Sequence, residues 1–208
     1  MLWGCGSVTA AAILFAGGES TRMGQPKALL PWGDATLIEY QVRELHAAGF
    51  DEIVVVLGHA AGEFRPHVPA KARVVVNEAY REGRASSLRV AASALSDEAD
   101  PIVVLSIDQP RPRRVHEWLL SAHRNSGTLI TVPTSHGRRG HPAVVAGSLL
   151  SELRNASERK HGLRGIIAAH DGDVREVPVD SPVIFLNINT PEEYERALAQ
   201  FAPGTSTA

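Results

Sequence analysis

Two kinds of apolar pattern alternate along the chain. Short unbroken runs, "VTAAAILF", "IVVVL" (Ile53 to Leu57), "RVVV" (Arg73 to Val76) and "IVVLSI" (Ile102 to Ile107), are separated by stretches with helical spacing. In "TLIEYQVRELHAAG", Ile38, Val42 and Leu45 share one helical face and Gly49 follows as a C-terminal stop. Further helices are predicted near "SSLRVAASAL", from Arg113 to Asn125, and around "SLLSELRN" and "LRGIIAAH". The strand runs lack polar alternation, as expected of strands covered on both faces, so the pattern predicts a three-layer α/β/α fold with a Rossmann-like, mainly parallel sheet. "TLITV", "VREVPV" and "VIFLN" are predicted to add strands, and "PTSHGRRGHP" an irregular loop. Thr190, Pro191 and Glu193 mark the last helix start, as N-cap, first helical position and capping-box partner.

Composition bounds this picture without changing it. With 208 residues, 44% of them hydrophobic, one sizeable core is expected, formed by residues 1–200 with a disordered tail at 201–208. A net charge of -2 gives no general electrostatic reason to bind nucleic acid or an anionic membrane, so any anion site must be local. The single cysteine, Cys5, cannot form an internal disulfide, and no segment approaches the ~20 apolar residues of a membrane helix. "LWGC" and "VTAAAILFA" hint at an export signal, but no basic residue precedes Arg22 and Gly17–Gly18 cut the run short. A cytoplasmic location follows as the expectation.

Ligands of doubly wound sheets bind beyond the carboxyl ends of the strands, so the residue after each apolar run carries the information. Those positions hold the glycine loop "AGGESTRMGQPK", Gly58–His59, Asn77, Asp108–Gln109–Pro110, the segment Gly137 to His141, and Asn187 with Asn189. Backbone N–H groups of a loop poor in side chains can approach an anion closely, and Arg22 and Lys27 would add charge against transferring phosphates. The spacing is neither that of the ATPase phosphate loop nor G-x-G-x-x-G. Asp108, closing an apolar strand, reads either as a cap before proline or as an oxygen ligand for Mg²⁺ facing that loop. No G-x-S-x-G elbow is present, so a covalent intermediate is not expected.

"AGGESTRMGQPKALLPWG", "NEAYREGRASSLR", "DQP", "RRGHP" and "NINTPEEY" together resemble the molybdopterin nucleotidyltransferases, within the glycosyltransferase-A-like nucleotidyltransferases, up to about Leu198. The cytidylyl-transferring members are the nearer match. The resemblance implies a fold of the nucleotide-diphospho-sugar transferase type and transfer of CMP from CTP to molybdopterin, with release of pyrophosphate. It implies Arg22, Lys27 and Asp108 as catalytic, and Asp108 with Asn189 as ligands of Mg²⁺. Nucleotide contacts fall at Ala16, Gly17, Gly18, Arg22, Gly24, Lys27, Asn77, Gly83, Ser86 and Ser87. Arg138, Arg139, His141 and His59 face the second substrate.

Each position also has a plainer reading. Asn189 could be a turn residue ahead of the Thr190 cap, Ser86 or Ser87 a helix start, "GRRGHP" a surface loop and His59 a turn histidine. "AGG" is commoner among guanylyl-transferring relatives, whereas "PKALLPWG", "ASSLR" and "RRGHP" point to cytidylyl transfer. Arg84 stands where relatives often carry methionine. GTP-dependent guanylyl transfer, transfer to a sugar phosphate, and non-catalytic delivery of the cofactor to a recipient molybdoenzyme remain the competing functions.

Overall fold

The computed structural model describes residues 9–203. Cys5 and residues 204–208, most of the expected tail, lie outside the described residues. In chain order the elements are β1 (Thr9–Phe15), β2 (Pro31–Trp32), β3 (Ala35–Thr36), α1 (Leu37–Ala47), β4 (Glu52–Leu57), α2 (Ala61–Phe64), β5 (Arg73–Val76), α3 (Arg84–Ala94) and β6 (Ala99–Ser106). The second half adds α4 (Arg113–Arg124), β7 (Ile130–Ser135), β8 (Arg138–Arg139), β9 (Ala143–Val145), α5 (Leu150–Arg154), α6 (Gly162–Ala169), β10 (Val174–Pro178) and α7 (Pro191–Phe201).

One sheet organises the molecule, in the order β10-β7-β9-β6-β1-β4-β5, with β8 paired to β7. β6, β1, β4 and β5 run parallel, as do β7 and β10, while β9 is inserted antiparallel between β6 and β7. The sheet is therefore mixed but mainly parallel, and the α/β class expected from the unalternated runs holds. Successive β1 side chains enter opposite cores. Ala10, Ala12 and Leu14 pack with residues of α1, α4 and α7; Ala11 and Ile13 pack with those of α3, α5 and α6. Covering both faces is what requires the runs to be apolar throughout.

Helix starts follow their local chemistry. Thr36 Oγ1 accepts from Glu39 N and Thr36 N donates to Glu39 Oε2 in return, and Thr190 with Glu193 builds a second capping box at α7. α7 reaches Phe201, and Ala202 after it is buried.

Three sequence expectations need correction. "VIFLN" forms no strand: Ser181 accepts from Val183 N, and Pro182–Phe185 turn as a 3₁₀ helix. Proline at the start denies that segment a ladder N–H. "PTSHGRRGHP" is not irregular, because β7 and β8 form a hairpin in which Ser135 pairs with Arg138 and Thr134 with Arg139. The connecting His136 and Gly137 both have positive φ, 49° and 72°, as a two-residue hairpin turn demands. β9, only three residues long, was hidden by its brevity.

His116 of α4 is 1% exposed against the edge of Phe50, and neither ring nitrogen has a hydrogen-bond partner among the described residues. Burial pushes its pKa down to about 3 from 6.5, with the Arg111 charge adding to the effect. The unfolded chain therefore takes up a proton below pH 6.5 that the folded state refuses, so stability falls as pH drops through that window. Urea unfolding at pH 7 and pH 5 should show the native protein losing about 1 to 2 kcal/mol more than His116→Leu. Equal losses would show that His116 is not an acid-sensitive point of the core.

Candidate active site

Phe15 ends β1 at the carboxyl edge of the sheet, and the glycine loop begins there. Ala16 N donates to Val56 O (2.9 Å) and His59 N to Gly17 O (3.2 Å), which holds the loop against the end of β4. A Cβ at Gly17 would lie 2.8 Å from Gly58 N, so this approach requires glycine. Met23 is buried as the loop's anchor, and Lys27 N donates to Ser20 Oγ (3.3 Å), closing the loop on itself.

Lys27 is the meeting point. Its Nζ donates to Asn189 Oδ1 at 3.0 Å, across 162 residues of sequence. Partial burial lowers its pKa; Asp108 opposes the shift, while Arg22 and Arg84 reinforce it. Those influences place Asp108, Arg22 and Arg84 within electrostatic reach of the ammonium. Ile188 N donates to Asp108 O (2.8 Å), so the two segments carrying Asp108 and Asn189 run side by side. Asn189 N is held in turn by Glu193 Oε2 at 2.7 Å. The aspartate, the asparagine and the lysine foreseen from the sequence thus converge.

Two groups beneath them had no sequence forecast. Gln41 of α1 is fully buried and donates to Ser106 O (3.3 Å) and Ile107 O (2.9 Å), fixing the strand end that carries Asp108. Arg111 is also fully buried and donates to the carbonyls of Pro110, His141, Ile184 and Leu186 at 3.0 to 3.1 Å. Burial pushes its pKa down to about 9, with Asp108 and Tyr40 resisting, so it remains charged at neutral pH. Gln41 could have been suspected, since it interrupts the apolar face made by Ile38, Val42 and Leu45. Arg111 gave no signal beyond following "DQP".

A cavity of about 590 Å³ opens beside this cluster and is lined by Ala16, Gly17, Gly18, Lys27, Gly83, Ser87 and Asp108, with Tyr80 and Arg84 among its other walls. A second cavity of about 860 Å³ takes in Arg139, Gly140 and His141. Several sequence candidates stand outside both. Asn77 is buried and its amide is committed, donating to Ser86 Oγ (2.8 Å) and Ser87 Oγ (2.9 Å) while accepting from Ala79 N. Ser86 donates inward to Gly83 O (2.8 Å), leaving Ser87 as the hydroxyl that faces the cavity. Asn77 therefore positions this turn. Arg22 and Gly24 are exposed on the loop, and His59 lies behind Tyr80, with Nδ1 3.4 Å from the phenol oxygen.

The acceptor-side candidates also divide. Arg139 lines the second cavity but is paired with Asp171 (2.5 Å) and Glu176 (2.7 Å). Arg138 lies outside that lining, its guanidinium 4.7 Å from the Phe185 ring centre. Desolvation lowers the pKa of His141, and the charges of Arg111 and Arg84 add to the shift, so its neutral form is favoured.

The chemistry of the donor set fits a divalent ion only in company. Asp108 and Asn189 supply one carboxylate and one amide oxygen, and no group of three or more His, Cys, Asp or Glu suited to a metal occurs among the described residues. Mg²⁺ commonly binds through one or two protein oxygens plus substrate phosphates, which matches this sparse set.

A parallel-edged α/β sheet with a glycine loop, a lysine and a sparse oxygen-donor pair on its carboxyl rim defines a nucleotide-handling transferase site. The chain belongs to the MobA-like NTP transferase domain family, whose model matches residues 12–174. It is 27% identical to the molybdenum cofactor cytidylyltransferase of Escherichia coli over 91% of this chain and 95% of the relative. It is 26% identical to a probable molybdenum cofactor guanylyltransferase of Bacillus mycoides over 90% and 94% of the two chains. A third relative, nicotine blue oxidoreductase of Paenarthrobacter nicotinovorans, is 30% identical over 73% of this chain and 78% of its own. Among solved structures, Rv0371c of Mycobacterium tuberculosis superposes with a TM-score of 0.78 at 30% identity, covering 93% of this chain and all of the other. A manganese complex of Rv0371c gives 0.72 at 28% identity, covering 93% and 99%. Among the described residues, no helix is long and apolar enough to cross a membrane.

Arg111→Met should remove the guanidinium donor from the carbonyls of Pro110, His141, Ile184 and Leu186, of which Ile184 O keeps His141 N, and lower unfolding stability by on the order of 3 kcal/mol. Denaturant unfolding measures this directly. An unchanged midpoint would show that the arginine does not hold the rim together.

Proposed function

We propose that the protein transfers CMP from CTP to molybdopterin, releasing pyrophosphate. The observation that carries this reading is the hydrogen bond from Lys27 Nζ to Asn189 Oδ1, made within reach of Asp108 beside the glycine loop. A lysine ammonium has three protons to donate, so Lys27 can keep Asn189 and still meet a phosphate. In the proposed reaction an ionised phosphate oxygen of the acceptor attacks the α-phosphorus in line. A new P–O bond forms, the bond to the bridging oxygen of the β-phosphate breaks, and its electron pair leaves with pyrophosphate. The nucleophile is already ionised, so no strong general base is needed, and the residues serve for positioning and charge neutralisation.

Asp108 and Asn189 would hold Mg²⁺, which supplies charge neutralisation on the phosphate oxygens when bound. The manganese complex of a related chain supports a divalent ion in such a scaffold. Lys27, Arg22 and the amides of Ala16 to Gly18 would hold the departing phosphates. Ser87 and the Gly83 turn would meet the nucleoside, with Asn77 fixing their geometry.

Guanylyl transfer from GTP is the second reading, favoured by the near-equal identity to the cytidylyl- and guanylyltransferase relatives. The two are separated by thermal stabilisation with CTP or GTP and Mg²⁺, followed by pyrophosphate release with molybdopterin. A redox assay with nicotine blue addresses the activity in the Paenarthrobacter relative's name.

Lys27→Ala and Asp108→Ala are expected to lower pyrophosphate release by at least a hundredfold while melting within a few degrees of the native protein. Near-normal release by both would reject the proposed roles.

A further inference from the structure

The two cavities share two wall residues, Phe15 and Arg84. Arg84 is the first residue of α3, and its Nη2 donates to the buried Ser106 Oγ, two positions before Asp108. Its guanidinium stands 5.8 Å from the Phe15 ring centre. Serine and ring thus fix the cation from two sides without neutralising it. Arg139 and Arg154, by contrast, each pair with a carboxylate, and no such pair is found for Arg84 among the described residues. The nearby Glu158 is committed to Ala85 N at 2.6 Å, where it caps α3.

An unneutralised guanidinium held on a partition between two cavities suits two anions that must meet, since its five donors allow two oxygens to be gripped at once. We propose that Arg84 is a catalytic residue that clamps the acceptor's phosphate monoester, bound in the second cavity, against the α-phosphate of the nucleotide in the first. Leu88, Leu105, Val132 and Leu163 give the second cavity an apolar wall for the acceptor's uncharged body. Ser106 is the positioning residue, acting only through the guanidinium. The role rests on the transferase reading above. The clamp shields the repulsion between attacking oxygen and α-phosphate without moving a proton, so the atom and charge balance of the transfer is unchanged.

The test loads the protein with Mg²⁺ and α,β-methylene-CTP, which fills the triphosphate site, and titrates inorganic phosphate by calorimetry. The native protein should bind phosphate, Arg84→Met at least tenfold more weakly, and Arg84→Lys between the two. Affinity for the nucleotide analogue should fall less than phosphate affinity in Arg84→Met and be largely restored in Arg84→Lys, a pattern that collapse of the α3 turn would not give. With molybdopterin and CTP or GTP, Arg84→Met should lower kcat/KM for molybdopterin about tenfold. Phosphate affinity unchanged in Arg84→Met, no phosphate binding by the native protein, or analogue affinity falling as far as phosphate affinity would each overturn the proposal. A native protein that shows the phosphate difference but releases no pyrophosphate from either nucleotide would reject the transferase reading and leave Arg84 as an anion site.

Discussion

The hydrogen bond from Ile188 N to Asp108 O makes the site possible, because it brings a late segment of the chain beside the end of β6 at the middle of the sheet. Asn189 follows Ile188 directly and so reaches the lysine of an early loop, 162 residues away. Nothing local to any of the three segments would bring them together. The sheet does so by placing β1 and β6 side by side, with Leu14 opposite Leu105 and Phe15 opposite Ser106, so that the glycine loop and Asp108 leave the same edge. Arg111 then ties the crossing from below through carbonyls of four residues.

Charge at this edge is unevenly compensated, and the unevenness has a direction. Several arginines away from the Lys27 cluster are paired with carboxylates, as Arg43 is with Asp34 and Arg154 with Asp97. Lys27 has an amide oxygen as its hydrogen-bond partner, Arg84 has a serine, and Arg111 has carbonyls. Neutral partners orient a cation while leaving its field available to a ligand. Such fields act locally, so the proposed polyanion site is compatible with a chain of net charge -2.

Legibility in the sequence followed periodicity and local chemistry. Buried parallel strands and capped helices were readable, because unbroken apolar runs and the Thr-Pro-Glu-Glu start each have a physical cause contained in a few residues. The rim residues were readable because strand ends mark the edge. The 3₁₀ turn of Pro182–Phe185 was not, since its composition is that of a strand and only the proline argued otherwise. β9 was too short to show a period, and the β7–β8 hairpin depended on a positive φ at His136, which histidine seldom adopts. Asn77 shows a different limit. Its place after β5 was clear, yet whether its amide turns outward to a ligand or inward to Ser86 and Ser87 is decided by tertiary neighbours.

Gly17 illustrates why a signature residue need not report what it is taken to signify. The "AGG" sequence invites a reading in terms of the nucleotide base, but the geometry supplies another cause. A Cβ at Gly17 would crowd Gly58 N at 2.8 Å and the Leu57 carbonyl carbon at 3.1 Å, while a Cβ at Gly18 would meet nothing within 4 Å. Glycine at 17 is thus dictated by the approach of the loop to β4, and this reason operates whichever nucleotide is bound. The unobstructed Gly18 is the one whose missing side chain leaves room over the cavity. On the proposed reading, base choice belongs to the Gly83–Ser87 turn, where Gly83 and Ser87 line that cavity and Asn77 holds Ser86 and Ser87 through its amide.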